Sequence, residues 1–254
     1  NGDTVPEIIV SWKLYDSKLN KMLTIYEYLP DSEDMAKALA TEAFTIMEVL
    51  DLDGDGYDDV FLVYLDSSTE LPQAFAKKLK MQADGTVIIA GQARLDGNVG
   101  SYNEIKTEKV SDDYPLRIYL DANKGEMQMV TEVVYWDSSK QALVAPLLDG
   151  NTQANTVSWR SSKIPSMDIN NDGIIEIPAH MSMMSEESVP SISNQKAPQY
   201  LTRWIQMNSD GTLFEVMRSV VNQQDHYMLI LPEDSSGRLT AESTASERRI
   251  DFYA

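Results

Sequence analysis

The chain of 254 residues carries 40 acidic side chains against 21 basic ones, a net charge of −19, and contains no cysteine. This charge would repel phosphate backbones and anionic membranes, which argues against nucleic-acid binding. The lack of cysteine excludes disulfides, Cys-ligated zinc and thiol catalysis. No apolar run approaches the ~20 residues of a membrane span.

Recurring strand pairs are the main structural signal along the chain. Residues 8–29 are predicted to form two strands joined by a turn at Asp16–Asn20. Three later segments follow the same plan of strand, short turn rich in Asp, Ser or Gly, and strand: 73–95, 128–148 and 199–221. Such recurrence indicates an internal repeat. Trp12, Trp136 and Trp204 occupy recurring positions in these segments, so they are predicted to pack in the core.

Two segments depart from the strand pattern. Asp34–Ala43 is predicted to be a short helix, capped by Ser32 or Asp34. Glu186–Gln199 is rich in Ser and Pro and is predicted to be a surface excursion.

One stretch has a spacing that points to a specific chemistry, namely Asp51–Asp59, which we name the first loop. Asp51, Asp53 and Asp55 alternate with other residues, Gly56 permits a sharp reversal, and Asp59 returns a fourth carboxylate. Four carboxylates this close repel one another unless a cation lies between them. Oxygen ligands without nitrogen or sulfur suit Ca²⁺, because Mg²⁺ disfavours cages built wholly from protein.

A second stretch, Asp168–Glu176, repeats the pattern, and we name it the second loop. Asp168, Asn170, Asp172 and Glu176 stand at the same offsets as the first loop's acids. Because Asp, Asn and Gly also form ordinary polar turns, one such stretch alone leaves a turn and an ion site equally open. The pair favours ion binding. The first loop, with four carboxylates against three, is expected to bind calcium more tightly.

The flanking residues exclude an EF-hand, since the twelfth positions are Leu62 and Ala179 rather than Glu and no helices flank the loops. Phe44–Leu50 and Val60–Leu65 read as strands on either side of the first loop, and Ile174–Ile177 reads as a strand within the second loop. The loops are therefore predicted to join strand to strand.

The whole chain is predicted to be all-β, a single β-propeller domain of about four to five four-stranded blades. Anchors in successive strand pairs are spaced by roughly 54 to 61 residues, a blade-like period. A β-sandwich is the alternative, although its strands need not repeat at a fixed period. The predicted parts are a half blade (8–29), three blades (about 44–95, 104–148 and 157–221) and a partial blade (222–254). Either the two ends complete one blade or the ring is incomplete in this sequence.

The D-x-[DN]-x-D-G-x-x-[DE] loops resemble the FG-GAP or VCBS-type repeats of bacterial surface proteins and, more distantly, the integrin α-subunit propeller. In that family the loop joins the first and second strands of a blade and binds calcium. The resemblance implies side-chain ligands from the spaced Asp, Asn and Glu residues and a backbone carbonyl at each seventh position, giving the full set Asp51, Asp53, Asp55, Tyr57 and Asp59, with Asp168, Asn170, Asp172, Ile174 and Glu176. Ser111–Pro115 and Asn222–His226 lack the spaced acids and are predicted to be metal-free.

Residues outside the loops include candidates for other chemistry. The two histidines, His180 and His226, lack a nucleophile-elbow context and are predicted to be solvated loop residues. Trp159 and Arg160 are candidates for a loop face that stacks on a sugar ring. The methionines of 181–184 are predicted to fill the core.

The sequence therefore predicts a calcium-binding module that binds an extracellular glycan or protein. The alternative is a carbohydrate-active propeller enzyme of the polysaccharide lyase or glycosidase type, but no acid pair can be picked out from so acidic a chain. Low-affinity calcium sites work where calcium is millimolar. We therefore expect an exported protein, either extracellular or held at the cell envelope as a lipoprotein whose anchor lies outside this sequence.

Overall fold

A computed structural model describes residues 6–13, 21–31, 33–66, 70–109, 111, 115–182, 196–198, 200–223, 225–232, 240–244 and 249–253. These residues form strands, turns and irregular segments without a helix, which confirms the all-β prediction. No helix in the described part is thus long and apolar enough to cross a membrane. The strands are β1 (Glu7–Trp12), β2 (Lys21–Tyr28), β3 (Ala36–Phe44), β4 (Ile46–Leu50), β5 (Asp59–Asp66), β6 (Gln73–Met81), β7 (Val87–Leu95), β8 (Ser101–Glu108), β9 (Arg117–Asn123), β10 (Met129–Asp137), β11 (Ala142–Val144), β12 (Ile177–Ser182), β13 (Lys196–Pro198), β14 (Tyr200–Met207), β15 (Leu213–Asn222), β16 (Tyr227–Ile230), β17 (Thr240–Thr244) and β18 (Arg249–Tyr253).

The described strands form five sheets. Three of them have four strands, in the orders β4-β5-β6-β7, β11-β10-β9-β8 and β12-β14-β15-β16. Two have three strands, β1-β2-β3 and β13-β17-β18. The chain divides into two compact units, one of residues 1–126 and 132–156 and the other of 127–131 and 157–254. The propeller arrangement of these sheets stays a prediction.

In the first unit, β5 is the strand around which the first loop is positioned. Its residues are almost all buried, because β4 and β6 pair with it on both sides and apolar residues alternate onto both faces. A buried apolar cluster connects the sheet of β5 with the sheet of β2 through Leu23, Ile25, Phe44, Val60, Leu62 and Leu79. The register Leu50↔Asp59 closes the first loop as the connection between β4 and β5.

In the second unit, β14 has the corresponding central place and pairs with β12 and β15. The second loop precedes β12 and is closed by an isolated antiparallel bridge, Met167↔Glu176. Strand β12 begins at Ile177, so only the last residue of the predicted strand Ile174–Ile177 lies in a strand. Met181 packs against a buried cluster of Leu201, Val220 and Leu231, as predicted, and residues 183 and 184 lie outside the described part.

Two central hairpins turn in the same way. At β6–β7, Gly85 donates its N–H to the Gln82 carbonyl and has a φ of 79°. At β14–β15, Gly211 donates to the Asn208 carbonyl with a φ of 83°. Glycine adopts this left-handed conformation without the steric cost that a side chain would meet.

Two predictions about the strands and the core are wrong. Residues 36–44 form strand β3 rather than a helix, because their backbone groups pair with β2 from Tyr28↔Ala36 to Lys21↔Phe44. Trp12 is 41% exposed rather than part of the core, although Trp136 and Trp204 are buried as predicted.

The surface excursion predicted at Glu186–Gln199 stays a prediction. Residues 196–198 form strand β13, paired with β17, and the others lie outside the described part.

Candidate metal loops

The first loop is folded around the carboxylate of its first residue. Asp51 Oδ1 accepts hydrogen bonds from the backbone N–H of Gly54 at 2.8 Å and of Asp55 at 3.1 Å. Asp51 Oδ2 accepts one from Gly56 N–H at 2.9 Å. These contacts bring the acids that follow Asp51 back towards it, which is why a nine-residue segment can turn so tightly.

The other acids of the first loop hold the remaining N–H groups. Asp53 Oδ1 accepts from Asp55 N–H at 3.3 Å, and Asp55 Oδ1 accepts from Tyr57 N–H at 3.0 Å. Asp59 Oδ2, at the start of β5, accepts from Leu52 N–H at 3.2 Å. Each of the four predicted ligand acids therefore has at least one oxygen fixed by the backbone.

The second loop repeats this network at the same offsets. Asp168 accepts from Asp172 N–H at 3.1 Å and from Gly173 N–H at 2.9 Å. Glu176 Oε2 accepts from Ile169 N–H at 2.8 Å, as Asp59 does from Leu52 in the first loop. Similar spacing has thus produced the same local fold.

The backbone conformations of the two loops also agree. The fourth positions are left-handed, with φ values of 76° at Gly54 and 62° at Asn171. The sixth positions are left-handed too, with 88° at Gly56 and 85° at Gly173. Glycine and asparagine are the residues that adopt this region most readily.

In each loop three carboxylates converge. One oxygen each of Asp51, Asp53 and Asp59 lie within 4.8 Å of one another, and the same holds for Asp168, Asp172 and Glu176. The remaining predicted side-chain ligands, Asp55 and Asn170, are exposed and lie in the same turns without belonging to these groups. The predicted roles of the Tyr57 and Ile174 carbonyls stay predictions.

The burial of the last acid in each loop fits a cation. Asp59 is 1% exposed and Glu176 is fully buried. Burial raises the pKa of both carboxyls, because the charged form loses its hydration. Asp59 Oδ1 is buried and has no hydrogen-bond donor among the described residues, and a cation or a water can satisfy such an oxygen.

Two lysines of β6 enter the first loop. Lys78 is fully buried, and its ammonium pairs with Asp53 and, at 3.0 Å, with Asp59 Oδ2. Lys80 Nζ lies 2.7 Å from Asp53 Oδ2 and also pairs with Asp55. Burial raises the pKa of the Asp53 carboxyl, but the hydrogen bonds from the two ammoniums outweigh it and the net shift is downward.

In the second loop an amide takes the place of the lysines. Gln206 Nε2 donates to Asp172 Oδ2 at 2.8 Å and to Glu176 Oε1 at 2.6 Å. Burial raises the pKa of Asp172, yet the hydrogen bonds from Gln206 and from Ile174 N–H lower it overall. Within the described part of the chain, no ion pair reaches an acid of this loop.

Lys78, Lys80 and Gln206 were not identified from the sequence, because they are distant along the chain from the acids they contact. A signal was nevertheless present. Lysines at positions 77, 78 and 80 interrupt an otherwise apolar strand, and a lysine is almost never fully buried unless it is paired.

His180 lies half-buried on β12, so the prediction of a solvated loop residue is wrong for it, whereas His226 is exposed in a turn as predicted. Ser161 N–H donates to His180 Nδ1 at 3.0 Å, which leaves the neutral ring its hydrogen on Nε2, facing Ser162 Oγ at 3.3 Å. Ser161 Oγ also lies 3.1 Å from Nδ1. Burial and the nearby Arg160 charge lower the His180 pKa to about 4. The ring is therefore neutral at pH 7 and contacts a serine hydroxyl at each of its two nitrogens.

Arg160 is fully buried, so the prediction that it lines a loop face is wrong. It donates to the carbonyls of Ile164, Ser158 and Pro178 and to Thr131 Oγ1. Its guanidinium therefore ties together backbone segments of the second unit.

A cleft of about 390 Å³ lies beside the second loop. It is bordered by the side chains Ile164, Pro165, Met167, Ile169, Trp204, Val221, Asn222, Gln223, His226, Tyr227 and Met228. None of these is an Asp, Glu, Lys or Arg. Among the described residues, the cleft therefore presents apolar surface, amides, the exposed Tyr227 ring and the exposed His226 imidazole, and no carboxylate.

No protein-family model matches the chain, and no curated protein matches it significantly.

Proposed function

We propose that this chain is a calcium-stabilised binding module, a repeat-built β-propeller of the FG-GAP or VCBS type that works outside the cell or on the cell envelope. The observation that carries the proposal is the agreement of the two loops. Although far apart in sequence, they share left-handed φ values at two positions and matching hydrogen bonds. Independent polar turns need not agree in this detail.

The sheets support the propeller part of the proposal. Three four-stranded antiparallel sheets follow one another along the chain, which is the composition of propeller blades. The first loop connects β4 with β5, the first and second strands of its sheet, as in the family that the loops resemble. The two central hairpins with the same turn support a repeated unit.

Calcium would be held by the convergent carboxylates Asp51, Asp53 and Asp59 and by Asp168, Asp172 and Glu176. When bound, the ion supplies positive charge that removes the repulsion among the acids. The chain's own residues do the rest: backbone N–H groups orient the carboxylates, and strands β5 and β12 keep the last acid of each loop fixed and buried.

Calcium is expected to raise the melting temperature of the protein by several degrees relative to the chelated form. Binding to the folded state alone adds about 2.7 kcal/mol per site at a hundredfold excess over Kd. The measurement is calorimetric unfolding with calcium, with magnesium and with chelator. The double variant Asp53→Asn/Asp172→Asn should lose the calcium response, while Asp210→Asn, which changes an acid of a hairpin turn outside both loops, should keep it. Equal melting temperatures with calcium and chelator would contradict calcium binding.

For the partner, we propose a glycan bound in the cleft beside the second loop. Amide groups there are held in place: Asn222 Oδ1 accepts from Asp225 N–H at 2.9 Å, and Gln223 Oε1 accepts from Lys163 N–H at 3.2 Å. Fixed amides and an exposed aromatic ring are suited to hydroxyl groups and to the apolar face of a sugar ring. Glycoside cleavage needs two carboxyl groups flanking the bond, and none lines this cleft.

Replacement of Tyr227 by Ala is expected to weaken glycan binding roughly five- to tenfold, since an aromatic contact contributes about 1 kcal/mol. The control is Phe214→Ala, which removes a similarly exposed ring outside the cleft. Binding is measured on a panel of bacterial and plant glycans, and the same mixtures are assayed for new reducing ends and unsaturated sugars. Sugar turnover by the wild-type protein would establish the enzyme alternative instead.

A further inference from the structure

Lys78, on β6, is buried against the first loop. Its side chain is fully buried, its ammonium contacts Asp53 and Asp59, and it lies 4.4 Å from the centre of the Trp136 ring. A buried ammonium is costly unless acids or an aromatic face compensate it. The first loop supplies the acids, and Trp136 supplies the aromatic face.

Lys80 adds a second positive charge from the same strand. Its ammonium contacts Asp53 and Asp55, so three of the four predicted ligand acids of the first loop pair with a lysine. Counting only these predicted ligands, Asp51, Asp53, Asp55 and Asp59, with the two lysines, the formal charge around the site falls from −4 to −2.

Uncharged residues of β14 stand at the positions that correspond to Lys78 and Lys80, so no lysine of this strand offsets the acids of the second loop. The register places Leu79 opposite Val60, which follows Asp59, and Ile205 opposite Ile177, which follows Glu176. A register shift separates Lys78 from Leu79 on β6, and another separates Trp204 from Ile205 on β14. The positions of Lys78 and Lys80 are therefore matched in the second unit by Trp204 and Gln206, which carry no charge.

We propose that Lys78 and Lys80 serve as built-in cations of the first loop, so that the first loop keeps its shape without metal and a divalent ion binds the second loop at much lower concentration. This inference rests on the proposed calcium binding. It reverses the order of affinities expected from the acids alone, because the predicted ligands of the second loop carry a formal charge of −3, against −2 for those of the first loop together with the two lysines. Asp59 Oδ1 is buried and accepts no hydrogen bond from the two lysines or from any other described residue. This oxygen can bind a metal ion once the charge of the lysines is removed.

The test is calorimetric titration of the full chain with CaCl₂. The wild-type protein should show one tight event, which Asp172→Asn abolishes and Asp53→Asn leaves in place. Lys80→Gln, which copies Gln206 of the second loop, should strengthen binding at the first loop at least tenfold. Lys78→Met/Lys80→Gln should do so more strongly. Lys77→Gln is the matched control, since the Lys77 ammonium pairs with Glu42 at 2.8 Å outside the loop.

Hydrogen exchange gives a readout that does not depend on affinity. Addition of chelator to the wild-type protein should reduce the protection of the Gly173 amide, which is bonded to Asp168, but not that of the Gly56 amide, which is bonded to Asp51. Lys80→Gln is a change at a partly exposed side chain, so this variant keeps the test valid if the double variant does not fold. Two wild-type sites of similar affinity, or a tight event lost in Asp53→Asn, would overturn the lysine proposal and leave calcium binding intact. Absence of binding in every variant would overturn both.

Discussion

Gly97→Ala is expected to destabilise the first unit by roughly 3 kcal/mol or more. Gly97 follows β7, and an ideal Cβ at this residue would lie 2.2 Å from the Pro72 carbonyl oxygen, 2.6 Å from the Pro72 carbonyl carbon and 2.9 Å from Gln73 Cα. All three atoms belong to the backbone, so no side-chain rotation can relieve the overlap. The connection before β6 or the one after β7 must move.

Gly150→Ala is the matched control, because a Cβ there meets no atom within 4 Å and the residue is not in the left-handed region. Its effect should stay within about 0.5 kcal/mol, as for most surface substitutions. Both variants are compared with the wild-type protein by urea unfolding. A free energy of unfolding for Gly97→Ala within about 1 kcal/mol of the wild type would show that the two connections are not packed as described.

The parts of the structure that could be predicted from the sequence are those set by local chemistry. The first loop depends on Asp and Gly residues within nine positions, and the hydrogen bonds from its backbone N–H groups to its carboxylates link residues no more than seven apart. The apolar run Val60–Leu65 likewise predicted β5, and the strand–turn–strand pattern of 73–95 predicted β6, since both signals lie within a short segment of the chain.

The wrong predictions involve partners far away in sequence. Residues 36–44 contain good helix formers, but pairing with β2 satisfies their backbone groups as a strand, and tertiary pairing overrides intrinsic propensity. Arg160 looked like a surface residue beside Trp159, yet the acceptors that hold it come partly from Thr131 and Pro178. A single sequence does not show these partners.

In the candidate loops, too, the local features could be predicted and the distant contacts could not. The acids were predicted from their spacing, but the sequence did not show whether lysines from another strand offset their negative charge. Lys78 reaches Asp53 across 25 positions, and Gln206 reaches Asp172 across 34. The order of calcium affinities expected from the sequence rests on local acids alone, whereas the order proposed above also depends on the contacts from β6 and β14.

Glu132, on β10, is the buried titratable group with the clearest consequence for stability. It is fully buried, and its carboxylate accepts hydrogen bonds from Asp96 N–H at 3.0 Å and from Asn155 Nδ2 at 3.2 Å. The Asp96 carboxylate, also fully buried, pairs with Lys124, whose charge also acts on Glu132. Burial and the negative charge of Asp96 raise the pKa of Glu132 to about 7.

This upward shift in the pKa of Glu132 sets the sign of a pH dependence. Between the unfolded value of 4.5 and the folded value of about 7, the folded protein holds a proton that the unfolded chain has released. The contribution of Glu132 to stability is therefore complete below about pH 4.5 and is lost as the pH rises to about 7, by an amount on the order of 3 kcal/mol.

In urea unfolding between about pH 5 and about pH 7.5, the free energy of unfolding of the wild-type protein should accordingly fall relative to that of Glu132→Gln. The lowered pKa of His180 adds the same rise with pH to both proteins below its ordinary value of 6.5, so the comparison between the two proteins isolates Glu132. Asp137→Asn is the control: the pKa of Asp137 is held below the ordinary value by hydrogen bonds from Lys140 and Ser139, so its contribution is lost only in acid and the slope in this window should not change. The amide of Glu132→Gln would place N–H groups next to the donors Asp96 N–H and Asn155 Nδ2, so this variant is destabilised for a second reason. The pKa of the wild-type Glu132 carboxyl is therefore also measured directly by ¹³C NMR. A midpoint below about pH 5 for the Glu132 carboxyl would contradict the assignment.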